Sequence, residues 1–216
     1  MTIYRQHEIE EFLQLYFIMG STNCKKDPVY VLKQAIEGGI TLFQFREKGV
    51  GSLEGLKKKK LAEKLHRVCK DAGIPFIIND DVELAVELDA DGIHIGQEDL
   101  AANLVREKAA DMILGVSTHT IGEAEKAIED GADYLGLGPI YPTISKDDAR
   151  EVSGLTIIEN FRKNGITIPI VGIGGITSAN ARDVIQAGAN GISLISAIAA
   201  ADDVKKASED LKRAVI

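Results

Sequence analysis

Cysteine is scarce in this chain, with Cys24 and Cys69 the only two among 216 residues. They lack metal-like spacing, and two are too few for a disulfide framework at this length, so both read as reduced and structural. Long apolar runs are missing as well: no stretch approaches the roughly 18 residues of a membrane-crossing helix. The opening "MTIYRQHEIEEFLQLYFIMG" lacks the charged region, apolar stretch and cleavage site of a secretory leader. A cytoplasmic protein with no membrane partner is therefore expected. Nor is there an excess of positive charge, since 25 Lys and Arg face 33 Asp and Glu for a formal charge of −8. A nucleic-acid backbone requires a basic face, so nucleic acid is not an expected partner. Anionic small molecules remain compatible if cations gather in one pocket. Finally, no Pro/Ser-rich linker or break in composition divides the chain. With 45% hydrophobic residues, one domain over 1–216 with a short N-terminal helical extension is expected.

What is present repeats. "EGGITLFQF" (37–45), "DADGIHIG" (89–96), "DGADYLGLG" (130–138) and "AGANGISLI" (187–195) share one design. Small or acidic residues with Gly end a helical pattern, and a short apolar run follows. Strands are predicted near 15–20, 41–46, 75–79, 92–95, 112–117, 134–138, 168–173 and 191–195. Helical periodicity lies near 28–37, 52–71, 82–88, 100–109, 121–130, 153–163, 178–187 and 202–213. Eight strands alternating with eight helices predict an α/β fold, a single (β/α)8 TIM barrel, in preference to a doubly wound sheet. The run Lys57–Lys60, beside Leu56, Leu61 and Leu65, reads as a solvated helix face rather than an anion site.

Barrel enzymes keep their chemistry at the C-terminal ends of the strands. The unusual residues fall there, whereas the strand starts read as plain joints. Asp80 and Asp99 are nineteen residues apart but stand at the tops of neighbouring strands, whose spacing is roughly 4.8 Å. Two carboxylates so placed could share a cation, and so few oxygen ligands suit Mg²⁺ completed by water and phosphate. The competing reading is helix capping by Asp80 or Asp81 and by Asp99. In "FQFREK", Gln44, Arg46 and Lys48 share one face while Phe45 and Glu47 take the other. Cations side by side there call for a polyanion, or else for an internal salt bridge. Gly174 and Gly175 in "VGIGGITSAN", a helix starting near Ser178, and Ile195 and Ser196 after strand eight outline a second anion site. The alternative is a tight turn. "GPIYPTISKDDAR" offers Thr143, Ser145 and Lys146 as a substrate-gripping wall or a surface loop. Ser117 and His119 do not make a nucleophile and base, because no acid is placed to orient the imidazole. Ser117 reads instead as a hydrogen-bond donor to a ligand, and His94 as a layer residue bonded internally.

Taken in order, "FQFREK", "INDD", "HIGQED", "GVSTHT", "GPIYPTISK" and "VGIGGIT" resemble the thiamine-phosphate synthase (thiamine-phosphate pyrophosphorylase) family over nearly the whole chain. Each motif alone is weak, while the ordered set is specific. The resemblance implies a Mg²⁺-dependent transferase that joins 4-amino-2-methyl-5-hydroxymethylpyrimidine diphosphate to a thiazole phosphate and releases pyrophosphate. It implies that Gln44, Arg46 and Lys48, with Asn79 beside them, hold the diphosphate, and that Asp80 and Asp99 hold Mg²⁺. Ser117 and Lys146 would contact the pyrimidine substrate or its departing pyrophosphate, and Thr143, Ser145, Gly175, Ile195 and Ser196 would cradle the thiazole phosphate. Ser145 departs from the Thr usual in the family, though the hydroxyl survives. The rivals are a thiazole tautomerase on the same barrel, an isomerase or lyase on another phosphate-binding barrel, and a non-catalytic sensor of a thiamine intermediate.

Overall fold

The computed structural model describes residues 2–143 and 151–216. Eight parallel strands follow in chain order, each bonded to the next and the last to the first, closing a barrel. They are β1 (Leu15–Met19), β2 (Leu42–Phe45), β3 (Phe76–Asn79), β4 (Gly92–Ile95), β5 (Ile113–Thr118), β6 (Tyr134–Leu137), β7 (Ile170–Ile173) and β8 (Gly191–Leu194). Ahead of β1 stands α1 (Gln6–Leu13). Between strands lie α2 (Pro28–Glu37), α3 (Gly55–Ala72), α4 (Val82–Glu87), α5 (Ala102–Lys108), α6 (Ile121–Glu129), α7 (Thr156–Lys163) and α8 (Ala181–Gln186). After β8 come α9 (Ser196–Ala199) and α10 (Val204–Val215). The expected (β/α)8 barrel is the fold observed.

Three helices start three residues later than the periodicity predicts, and local chemistry explains each. Gly49 and Gly51, at φ of 100° and 83°, keep the approach to α3 non-helical, and Gly154 at φ 68° does the same before α7. Before α8, the Asn180 side chain accepts the Thr177 N–H at 2.7 Å and donates to the Gly175 carbonyl at 3.2 Å. This closed turn occupies the groups a first helical turn would need.

Strand alternation separates two apolar layers. Phe17, Phe43, Phe76, Ile78, Ile93, Leu114, Leu135 and Ile192 point outward and pack against the helices with Leu32, Leu65, Val105, Ile158 and Val184. Tyr16, Ile18, Leu42, Ile77, Ile113, Tyr134 and Val171 fill the barrel itself, where Ile9 and Leu13 of α1 join them from the N-terminal end of the strands. Both cysteines are free thiols, as expected. Burial, with help from Glu47 and Asp27, pushes the Cys24 thiol up to about 12, and burial raises Cys69 further.

The strand starts are not plain joints, contrary to the sequence reading. A polar residue just ahead of each even strand accepts an N–H from the first or second residue of the odd strand before it. Thr41 Oγ1 takes Leu15, Asp91 Oδ2 takes Phe76, Asp133 Oδ2 takes Leu114 and Asn190 Oδ1 takes Ile170, all between 2.8 and 2.9 Å. These side chains satisfy N–H groups that the ladder leaves over at the barrel's lower end.

Candidate active site

The upper end is built differently. Beyond β2 the chain continues extended, with the Arg46 N–H bonded to the Met19 carbonyl at 3.0 Å. Gln44, Arg46 and Lys48 follow one face at three depths. Gln44 is inside the barrel, 1% exposed, and its Nε2 donates to the Tyr16 hydroxyl at 2.6 Å. Arg46 is buried at 8% exposure. Lys48 reaches the rim, where its Nζ meets Asp80 Oδ2 at 2.8 Å.

The consecutive aspartates have separate positions. Asp80 takes a left-handed φ of 62° while its N–H bonds the His94 carbonyl at 2.9 Å, so its carboxylate turns toward Lys48 and Asp99. Asp81 caps α4, its Oδ1 accepting the Leu84 N–H at 3.0 Å and its Oδ2 meeting Lys58 Nζ at 2.6 Å. Asp99 caps no helix, since α5 begins after Ala101 without a side-chain cap. It accepts the Gly96 N–H at 2.7 Å instead. Burial raises the Asp80 pKa, and the neighbouring Asp99 raises it further against the pull of Lys48. Burial also acts upward on Asp99, but hydrogen bonds from Asp80 and the Gly96 N–H hold it below the ordinary carboxylate value. Of the two carboxylates, Asp80 is therefore the one that releases its proton at the higher pH. Two carboxylates in contact offer a cation a pair of oxygen ligands. Among the described residues, no group of three or more His, Cys, Asp and Glu side chains could form a fuller ligand set.

On the adjoining side, Ser117 ends a buried chain of hydrogen bonds. Gln44 bonds Tyr16, whose hydroxyl lies 2.9 Å from that of Tyr134. Tyr134 lies 2.9 Å from His94 Nδ1, and His94 Nε2 lies 2.9 Å from Ser117 Oγ. Glycine makes room for this chain: a Cβ on Gly115 would stand 2.1 Å from Tyr134 Cζ and 2.5 Å from His94 Nδ1. Burial raises the pKa of both phenols, which stay protonated. In the arrangement where each hydroxyl passes its proton onward from the Gln44 amide, His94 donates from Nε2 and the Ser117 hydroxyl proton is left for a ligand. His94 is the internally bonded layer residue expected. His119 is not without an acid, as the sequence suggested: its Nδ1 lies 3.3 Å from Glu123 Oε2, four residues on. Ser117 nevertheless lies within hydrogen-bond distance of His94, whose other ring nitrogen meets the Tyr134 hydroxyl and not an acid.

Facing this wall, Gly174 (φ 99°) and Gly175 (φ 62°) turn the chain after β7. A Cβ on Gly175 would meet the Pro142 carbonyl oxygen at 2.5 Å, so the loops after β6 and β7 touch backbone to backbone. The helix start expected near Ser178 lies at Ala181; the helix that begins beside the glycine turn is α9, at Ser196. One cavity of about 380 Å³ lies between the walls, lined by Lys48, Asp99, Ser117, Thr143, Gly174, Gly175, Ile195 and Ser196. Gln44, Arg46, Asn79 and Asp80 are not among its lining residues. Ser145 and Lys146 lie outside the described residues. Gln97, Glu98 and His119 also line the cavity although the sequence reading assigned them nothing. Gln97 fixes the rim by donating to the Ser117 carbonyl at 2.7 Å. Its place directly after the strand end "HIG" was the available signal.

The fold is a (β/α)8 barrel whose polar cavity lies at the strand tops, the end at which barrel enzymes place their active sites. A family model described as thiamine monophosphate synthase matches residues 15–198. A thiamine-phosphate synthase of Geobacillus thermodenitrificans is 59% identical over 208 residues, covering 96% of this chain and 94% of the relative. One from Bacillus cereus is 58% identical over 204 residues, covering 94% and 91%. The solved thiamine phosphate pyrophosphorylase of Pyrococcus furiosus superposes with a TM-score of 0.86 at 35% identity, covering 96% of this chain and 97% of that one. The chain belongs to the thiamine monophosphate synthase family. No described helix is long and apolar enough to cross a membrane.

Proposed function

We propose that the protein joins 4-amino-2-methyl-5-hydroxymethylpyrimidine diphosphate to a thiazole phosphate, giving thiamine phosphate and pyrophosphate. The observation that carries this reading is the Lys48, Asp80 and Asp99 cluster facing the Gly174–Gly175 turn across one cavity. A lysine beside two carboxylates suits a diphosphate with its divalent cation. The glycine turn with the start of α9 suits a phosphate monoester. A thiazole tautomerase would use the second half only, leaving the acid pair without a task.

The donor set fits Mg²⁺: two carboxylates in contact supply oxygen ligands only, and their small number leaves positions for water and phosphate. Asp80 and Asp99 would hold the ion, which when bound neutralises charge on the departing pyrophosphate. Arg46, Lys48 and Lys146, with Asn79, stabilise that leaving group as the C–O bond breaks and its electron pair departs with oxygen. Gln44 acts from below, at the far end of the chain that orients Ser117. Ser117 donates its proton to the pyrimidine substrate or to the pyrophosphate. Thr143, Ser145, Gly174, Gly175, Ile195 and Ser196 hold the thiazole phosphate. The electron-rich aminopyrimidine carries the transient positive charge of a dissociative substitution, and the thiazole nitrogen closes the new C–N bond. A coupling assay with both substrates, with and without Mg²⁺, tests the reading. Asp80→Ala and Asp99→Ala should each lower turnover by about a hundredfold or more and raise the Mg²⁺ requirement. Unchanged turnover and metal dependence in both variants would place the ion elsewhere.

A further inference from the structure

Glu47 carries a charge that the proposed reaction does not use, yet it is buried to 9% exposure between two cations of its own segment. Strand alternation turns it away from the face of Arg46 and Lys48. Its carboxylate accepts three hydrogen bonds from neutral donors. Oε2 takes the Ser21 N–H at 2.7 Å, while Oε1 takes the Ser21 hydroxyl at 2.5 Å and the Leu53 N–H at 2.7 Å. Ser21 opens the short 3-10 turn after β1, and Leu53 lies at the far end of the segment joining β2 to α3. One side chain therefore ties the first two strand-top loops together.

The joint is close. A Cβ on Gly20 would stand 2.1 Å from the Arg46 carbonyl oxygen and 3.0 Å from Glu47 Oε2. Between Glu47 and Leu53 the chain carries Gly49 and Gly51 at positive φ, positions with wide backbone freedom in the absence of a restraint. The Leu53 bond closes this short loop on Glu47 and restricts the backbone that carries Lys48. Only a carboxylate can satisfy all three donors, because an amide offers one acceptor oxygen and would set its own N–H groups against the others. The negative charge is spent on neutral donors and faces away from the anion site, so it does not cancel the charge Lys48 presents there.

We infer that Glu47 is a positioning residue for the diphosphate end of the site, fixing the backbone on which Arg46 and Lys48 stand before the substrate arrives. The inference rests on the function proposed above. The test titrates inorganic pyrophosphate with Mg²⁺ into the full-length wild type, Glu47→Gln and Ser21→Ala, alongside steady-state kinetics and thermal unfolding. Glu47→Gln should weaken pyrophosphate binding and raise KM for the pyrimidine diphosphate by about tenfold, leaving KM for the thiazole phosphate within about twofold. Ser21→Ala, which removes one donor of the three, should move the same quantities in the same direction by about two- to threefold, and it decides the matter if Glu47→Gln does not fold. Equal changes in both KM values, or a loss confined to thermal stability, overturn the inference. A wild type that binds no pyrophosphate instead overturns the diphosphate reading itself, and this inference falls with it.

Discussion

Ser117 shows how far the chemistry of one residue depends on others it does not resemble. The proposed donation from Ser117 to a substrate requires His94 to donate to it from Nε2, and so requires Tyr134 to donate to Nδ1. His94→Phe keeps a ring in the layer but leaves the Tyr134 hydroxyl and the Ser117 oxygen without that partner. Turnover should fall by about ten- to a hundredfold, close to the loss caused by Ser117→Ala. The double variant should be scarcely worse than either single one, since both remove the same link. Additive losses in a double-mutant cycle would show that His94 and Ser117 act independently. The sequence made Ser117 and His94 visible as residues of strand tops and layers, but not as partners, because they belong to different strands and pairing depends on register. Depth was equally hidden. Gln44 shares a face with Arg46, yet two residues along a strand is roughly 6.6 Å, enough to pass from rim to interior. The choice between Asp80 and Asp81 turned on a positive φ at Asp80, which no side-chain pattern announces.

At the scale of elements, the short α4 depends on its first turn. Burial alone would raise the Asp81 pKa, but the Lys58 ammonium and the Leu84 N–H hold it below the ordinary value. A carboxylate whose folded pKa is depressed stabilises the fold above its unfolded pKa, and that contribution is lost as pH falls through the folded value. Asp81→Ala should therefore cost about 1 kcal/mol at neutral pH. The gap from wild type should narrow as pH drops below about 4, where the unfolded carboxylate begins to hold its proton. Urea unfolding of both proteins at pH 7 and pH 3 measures this, and a gap of constant size would exclude a charged cap. Elements of this kind were legible where sequence and local chemistry agree: the periodicity predicts α6 from 121 and it begins at Ile121, where Thr120 and Glu123 form a capping box. They were less legible where a side chain competes with the helix, as Asn180 does before α8. The four-residue α9 was read only as the top of strand eight, since so short a helix has no periodicity to detect.

Across the whole molecule the two ends of the barrel divide the work. The upper end gathers polar groups that point into a cavity, while the lower end spends its polar groups on the protein itself. Asp133 shows the second use in full: its Oδ2 accepts the Leu114 N–H at 2.8 Å and Arg106 at 2.7 Å, and Arg106 also donates to the carbonyls of Gly131 and Met112. Arg162 repeats the arrangement with Asn190, Gly188 and Ile168 one pair of strands further on. The recurring "GAD" and "GAN" phrases marked where strands begin, but not that their last residue stitches neighbouring strands, because that bond crosses between units distant in sequence. Asp133→Ala leaves a strand N–H without its acceptor and a mostly buried guanidinium with carbonyls but no carboxylate, so it should cost about 2–4 kcal/mol of stability. Below its lowered melting temperature the variant should keep kcat/KM within about twofold of wild type, since the strand tops are untouched. Asp99→Ala should do the reverse, losing activity with little change in unfolding midpoint. Urea midpoints and coupling kinetics on both variants measure the two quantities side by side. A lower-end variant that stayed stable while losing activity would mean that the ends of the barrel are coupled, and that strand starts as well as strand tops set the geometry of the site.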